Sequence, residues 1–210
     1  MIKNIQDYFS HNMETYLESV FQHLELSFLA LFFAVLLGLP LGYFSYRHKT
    51  VHWFSTHFSQ ALRVVPSLAV LFILVPFIGV GKLPALIALV VLALPPILFS
   101  TILGFSEVPE AILETGLALG MTKWQLLYQL SFPLARHHIL NGIKLALIEL
   151  IASATLATYI GAGGLGNLIF TGLGLYRIDL LMIGGGSVAL LSFISMLGFD
   201  LYIRSSEYEK

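Results

Sequence analysis

Residues 114–133 read ETGLALGMTKWQLLYQLSFP, a charged, glycine-punctuated segment set between long apolar runs. Glu114 is followed by Gly120 six residues on and by Pro133 thirteen further. Ala111, Leu113, Leu117 and Ala118 supply part of an apolar face for a short helix. Gly120, lacking a Cβ, permits a sharp turn after it. Met121, Trp124, Leu127 and Tyr128 form a second apolar stripe at helical spacing. Pro133 is expected to end that second helix and redirect the chain into the next apolar run. Two readings follow. The segment is a rigid lever on which a separate partner docks, with Glu114 pairing to the partner or capping the lever. Or it is an amphipathic loop packed on its own bundle, with Glu114 solvated.

The surrounding composition decides where such a segment sits. The chain has 210 residues, 57% hydrophobic and 11% charged, with a net charge of −1; soluble domains carry about 25% charged residues. This is a membrane composition. A near-neutral chain has no basic stripe for nucleic acid, and the absence of cysteine removes disulfides, thiolate metal sites and cysteine nucleophiles. The first apolar run begins near residue 24 without a small-residue cleavage pattern, so it is read as a retained helix.

A spanning helix needs about 20 mostly apolar residues. Five candidates satisfy this, at residues 24–43, 61–80, 84–104, 139–160 and 180–203. Pro40, Pro66, Pro76, Pro95 and Pro96 fall within them, which implies packed neighbours that re-satisfy the freed carbonyls. With the N-terminus outside, the inner segments hold Arg47, Lys49, Lys123, Arg136, Arg204 and Lys210, and the outer ones Lys3, Lys82 and Arg177. The positive-inside bias therefore places residues 114–133 in the cytoplasm, with the C-terminus. Residues 1–23 form a separate amphipathic helix, either lying in the outer interface or packed on the bundle; residues 24–210 form the transmembrane domain.

With the spans in place, residues 114–133 resemble the cytoplasmic coupling motif of ABC importer permeases, roughly E-A-A-x-x-x-G, nine residues, then I-x-L-P. Glu114, Gly120, Leu130, Phe132 and Pro133 occupy those places. Thr115 and Gly116 stand where the family prefers two alanines, and Leu130 and Phe132 replace Ile and Leu. ATLATYIGAGGLG (154–166), VPSLAVLFILVPFIGVGKLPALIAL (65–89) and the Pro95–Leu98 region resemble the compatible-solute branch that takes up glycine betaine, carnitine and choline. The resemblance implies an all-α integral membrane protein of about five transmembrane helices, with a coupling-helix loop at residues 107–136. It implies a second permease, identical or not, and two ATPase subunits that hold ATP and Mg, so the chain itself is no enzyme and carries no cofactor. It also implies a solute-binding protein outside, and a home in a prokaryotic cell membrane. Methionine importer permeases share the coupling motif and the glycine loop, and methionine, ergothioneine or a bile acid remain alternative solutes.

GAGGLG at residues 161–166 also matches the dinucleotide pattern G-x-G-x-x-G. That pattern needs a preceding strand and an acid about 20 residues on. Here a spanning run precedes it, the first acid is Asp179, and Asn167 stands where a P-loop requires Lys. Gly161, Gly163, Gly164 and Gly166 are read instead as an external loop or gate with a flexible backbone. Glu149 lies mid-span, where a charge costs at least about 2.5 kcal/mol and must face protein or water. It lines the translocation path, is protonated and hydrogen-bonded within the bundle, or pairs with Lys144. Ser153 and Tyr159 are the other path candidates; Ser153, Thr155 and Thr158 also suit hydrogen bonding between helices. The histidines, His137 and His138 included, lack metal-site spacing. An intramembrane enzyme would need a nucleophile and a base within the spans. Glu149, Ser153 and Thr155 have no partner histidine there.

Overall fold

The computed structural model describes residues 2–208; Lys210, counted above among the inner charges, lies outside them. Among the described residues every regular element is helical. The first, α1 (Ile2–Arg47), passes residue 23 without a break, and its backbone leaves helical values at Asn12, φ −128° and ψ 22°. There the Asn12 amide donates to the Tyr8 carbonyl at 3.3 Å; a short polar side chain offers the backbone an alternative partner. On either side of the kink, Tyr8 and Phe9, then Tyr16 and Val20, pack on the buried Leu165, Leu168, Leu180 and Ile183.

The second apolar run does not make one straight span. The helix α2 (Lys49–Val64) stops, and α3 (Ser67–Ile78) leaves at 100° to it. The expected span over residues 61–80 straddles this corner. Pro66 is the cause: its ring pushes the preceding residue out of the helical region, and Val65 is extended at φ −73°, ψ 126°. Alone, α3 covers about 18 Å, well short of the ~30 Å apolar layer. On α2 the usual pattern is inverted: Ser55 and Ser59 are buried while Trp53, Phe54 and Phe58 point outward, which suits a helix whose outer face meets lipid.

Among the described residues four helices are long and apolar enough to cross a membrane, or five spans if the bent pair counts as one. Besides α1, these are α4 (Lys82–Ser106), a long helix that contains α7 (Phe132–Ala157), and α9 (Ile178–Tyr208), which follows the short α8 (Gly166–Gly174). Helices α1, α4 and α7 form the centre of the bundle. Since lipid is as apolar as leucine, such helices associate through close packing and hydrogen bonds. A Cβ on Gly38 would lie 2.7 Å from Ile97 of α4, and one on Gly142 of α7 would lie 2.9 Å from the Pro96 carbonyl. Between α7 and α9, Lys144 Nζ donates to Asp200 Oδ1 at 2.7 Å. The alternative partnership of Lys144 with Glu149 is thereby overturned: five positions on a helix are about 140° apart, and Lys144 points at α9.

Candidate functional site

The segment expected to be the lever begins with α5 (Glu110–Ala118). Its end is closed by a Schellman arrangement: Gly120, at φ +80°, donates to the Leu117 carbonyl at 2.9 Å and Met121 donates to Gly116 at 3.0 Å. The next helix opens with a capping box. Gln125 N donates to Thr122 Oγ1 at 3.3 Å and Thr122 N donates to Gln125 Oε1 at 2.8 Å. The T-x-x-Q spacing that announces this box is readable in the sequence, yet the sequence reading passed it over.

Pro133 does not end the helix. From Lys123 to Ile160 the chain is a single 38-residue helical rod, made of α6 (Lys123–Gln125), a π-helical segment (Leu126–Ser131), α7 and a 3-10 turn (Thr158–Ile160). The physical reason is local. A proline inside an α-helix leaves a carbonyl without its donor and crowds the turn before it. A π segment widens that turn and shifts the hydrogen bonds by one residue, so Phe132 N donates to the Leu127 carbonyl. The rod is about 57 Å long.

Along this surface the motif residues separate into two groups. Glu114 is exposed and has no ion-pair partner among the described residues; Thr115 is exposed and donates to its own helix at Ala111. Gly116 is buried, and a Cβ there would lie 2.6 Å from Leu126 and 2.9 Å from Leu130. Gly116 and Leu130 thus seat α5 on the rod, whereas Glu114, Thr115 and the Gly120 turn face out. Leu117, Leu119, Trp124 and Tyr128 are exposed, Leu119 to 78%, with the last two rings stacked 5.8 Å apart. Phe132 is partly exposed. His138 Nε2 meets Glu107 Oε2 at 2.7 Å and ties the start of the segment to α7.

The glycine loop at the other end of the rod is held firmly. Gly161, Gly163 and Gly164 have φ of +79°, +81° and +88°, values only glycine adopts readily. Thr158 Oγ1 donates to the Gly163 carbonyl at 2.9 Å, Gly164 N donates to Gln22 Oε1 at 3.1 Å, and His23 Nε2 donates to Ile151 at 2.9 Å. A Cβ on Gly166 would collide with the Thr155 carbonyl and Thr158 Oγ1. The flexible backbone expected here is replaced by a latch across α1 and α7. Gln22 and His23 escaped the sequence reading because their partners lie 142 and 128 positions away.

On α7 the exposed positions Leu145, Glu149 and Ala152 line one face, and the exposed Tyr159 of the 3-10 turn follows them along the rod. Ser153, one turn above Glu149, is buried at its edge. Tyr159 stands 4.1 Å from Phe170 and 6.4 Å from Phe72, centroid to centroid. Among the described residues no group of three His, Asp or Glu side chains has metal-binding geometry.

A bundle of four or five apolar spans is the architecture of a multi-pass membrane protein. The chain matches the model of the binding-protein-dependent transport system inner membrane component over residues 20–205, and it belongs to that family. It is 42% identical over 190 residues to the carnitine transport permease protein OpuCB of Listeria monocytogenes, covering 90% of this chain and 87% of that protein. It is 38% identical to the glycine betaine/carnitine/choline transport system permease protein OpuCB of Bacillus subtilis, covering 82% and 80%. Its backbone follows a chain of the inward-facing MetNI methionine ABC transporter with a TM-score of 0.83 over 92% of this chain and 97% of that one; at 22% identity that likeness is one of fold. The family and the helical fold expected from residues 114–133 and the apolar runs are borne out.

Proposed function

We propose that this chain is the permease subunit of an ATP-driven importer for a small quaternary ammonium solute of the glycine betaine, carnitine or choline type. The observation that carries this reading is the extent of identity to permeases named for those solutes, over most of both chains. Two permeases stand side by side, each engaging one ATPase subunit at residues 114–133, and a solute-binding protein meets the outer surface. ATP and Mg stay with the ATPases, and the permease performs no chemistry. The N-terminus lies outside and the C-terminus in the cytoplasm of a prokaryotic cell, residues 1–23 cap the outer end, and residues 24–210 form the permease domain. Closure of the motor draws the two levers together, and each rod passes the displacement to its outer latch, biasing the bundle between inward- and outward-open states.

The exposed face of α7 fits the path. A mid-span carboxylate is tolerated where it meets water or protein, and aromatic faces attract quaternary ammonium groups. Glu149 and Tyr159 are the path residues of this reading, with Ser153 at the margin. Reconstituted with its ATPase and binding protein, the permease should show ATPase activity stimulated by betaine, carnitine or choline. Stimulation by none of them, but by methionine, ergothioneine or a bile acid, would transfer the assignment to that solute. Glu149→Gln should lower uptake several-fold while leaving ATPase binding intact; unchanged uptake removes Glu149 from the path.

A further inference from the structure

Two adjoining cavities lie where the end of α1 meets the coupling segment, and neither has a carboxylate on its wall. One, of about 220 Å³, is lined by Tyr43, Tyr46, Arg47, Phe105 and Lys123 among others. The second, of about 330 Å³, shares Tyr43, Arg47, Lys123 and Leu127 with it and adds Phe44, His48 and Trp124. Arg47 and Lys123 therefore converge on one space from different elements, the last turn of α1 and the first residue of α6. Neither has an ion-pair partner among the described residues. The walls are aromatic. Tyr43 and Tyr46 pack on the buried Phe105 at 5.0 and 5.8 Å, while Phe44 and Trp124 stand 53% and 68% exposed.

Two unpaired cations beside phenol hydroxyls, roofed by Phe and Trp, combine two chemistries. The cations call for an anion with several oxygens, which guanidinium recognises in fork geometry. The exposed rings call for the boundary between headgroups and acyl chains, where Trp and Tyr concentrate. A soluble anion satisfies only the first requirement. An anionic phospholipid satisfies both, and basic pockets between transmembrane helices hold such headgroups.

We propose that the Arg47–Lys123 pocket is a binding site for the headgroup of an anionic phospholipid, in the leaflet that the coupling segment faces. The lipid bridges α1, a fixed element of the bundle centre, to the base of the lever.

The test is native mass spectrometry of the permease extracted from nanodiscs of phosphatidylglycerol mixed with phosphatidylethanolamine. Wild type should retain phosphatidylglycerol preferentially. Arg47→Gln/Lys123→Gln should lose that adduct at least ten-fold and keep phosphatidylethanolamine adducts unchanged. Lys49→Gln and Arg204→Gln, which remove charges outside the pocket, should behave as wild type. Equal retention by the double variant overturns the proposal, as does displacement of the lipid by millimolar inorganic phosphate, which would mark a soluble-anion site. If the double variant instead loses its ATPase in lipid-free neutral detergent, the pocket is a protein contact and the lipid assignment falls. Preserved circular dichroism distinguishes each outcome from misfolding, and none depends on the identity of the solute.

Discussion

The two glycine-rich turns at the ends of the 57 Å rod use the same residue in opposite ways. At the coupling end, Gly120 makes its turn into open space: a Cβ there would meet nothing within 4 Å, and the neighbouring Leu119 is largely exposed. At the opposite end, Gly163, Gly164 and Gly166 press against Gln22, His23 and Thr155, and side-chain hydrogen bonds cross the loop. The first turn is shaped but left uncovered by the rest of the described chain. The second is finished within the chain. Sequence composition alone makes them look alike; the distinction lies in what occupies the space where a side chain would go.

Three substitutions probe this contrast. Gly166→Ala drives a methyl into the Thr155 carbonyl, a backbone atom that cannot rotate away. Overpacking of this kind should cost about 3 kcal/mol, read as a large loss of melting temperature and of folded yield in detergent. A variant as stable as wild type would show that the latch is looser than its geometry. Gly120→Ala meets no atom and suffers only the left-handed backbone, so about 1–2 kcal/mol is expected, and Gly120→Asn should recover part of it. A loss as large as that of Gly166→Ala would mean that the coupling turn is as enclosed as the latch. Leu119→Asp should leave the melting temperature of the isolated permease within about 0.5 kcal/mol equivalent, as surface changes do, and yet abolish co-purification with the ATPase. Retained co-purification would remove the Gly120 turn from the docking surface.

Much of this arrangement was legible in the sequence, and the failures have definite causes. Apolar length and low charge sufficed for a multi-span bundle, and the spacing of Glu114, Gly120 and Pro133 pointed to the family. The spans misled where a hydropathy count ignores direction. Residues 61–80 are apolar apart from Arg63 and Ser67, but Pro66 turns the chain by 100° within them. Pro133 misled because proline has two outcomes, a stop or a widened turn, and the choice rests with the six residues Leu126–Ser131 preceding Phe132, whose π spacing leaves no periodic mark. Gly116 stands where the family prefers alanine, and the reason is packing: a Cβ there would meet Leu126 and Leu130. The pins Gln22, His23 and Asp200 were invisible for a simpler reason: pairing across more than 50 positions carries no local signal.

The bond from Gly164 to Gln22 spans 142 positions, and this has a consequence for biogenesis. At about 5–20 residues per second of synthesis, Gln22 and His23 emerge roughly 7–28 s before the glycine loop that receives them. During that interval His23 lacks the Ile151 carbonyl and Gln22 Oε1 lacks the Gly164 N–H, while Gln22 Nε2 already has Glu18 within α1. Closing the latch is thus a late event in the life of the nascent chain, completed only after about three-quarters of the polypeptide has been made.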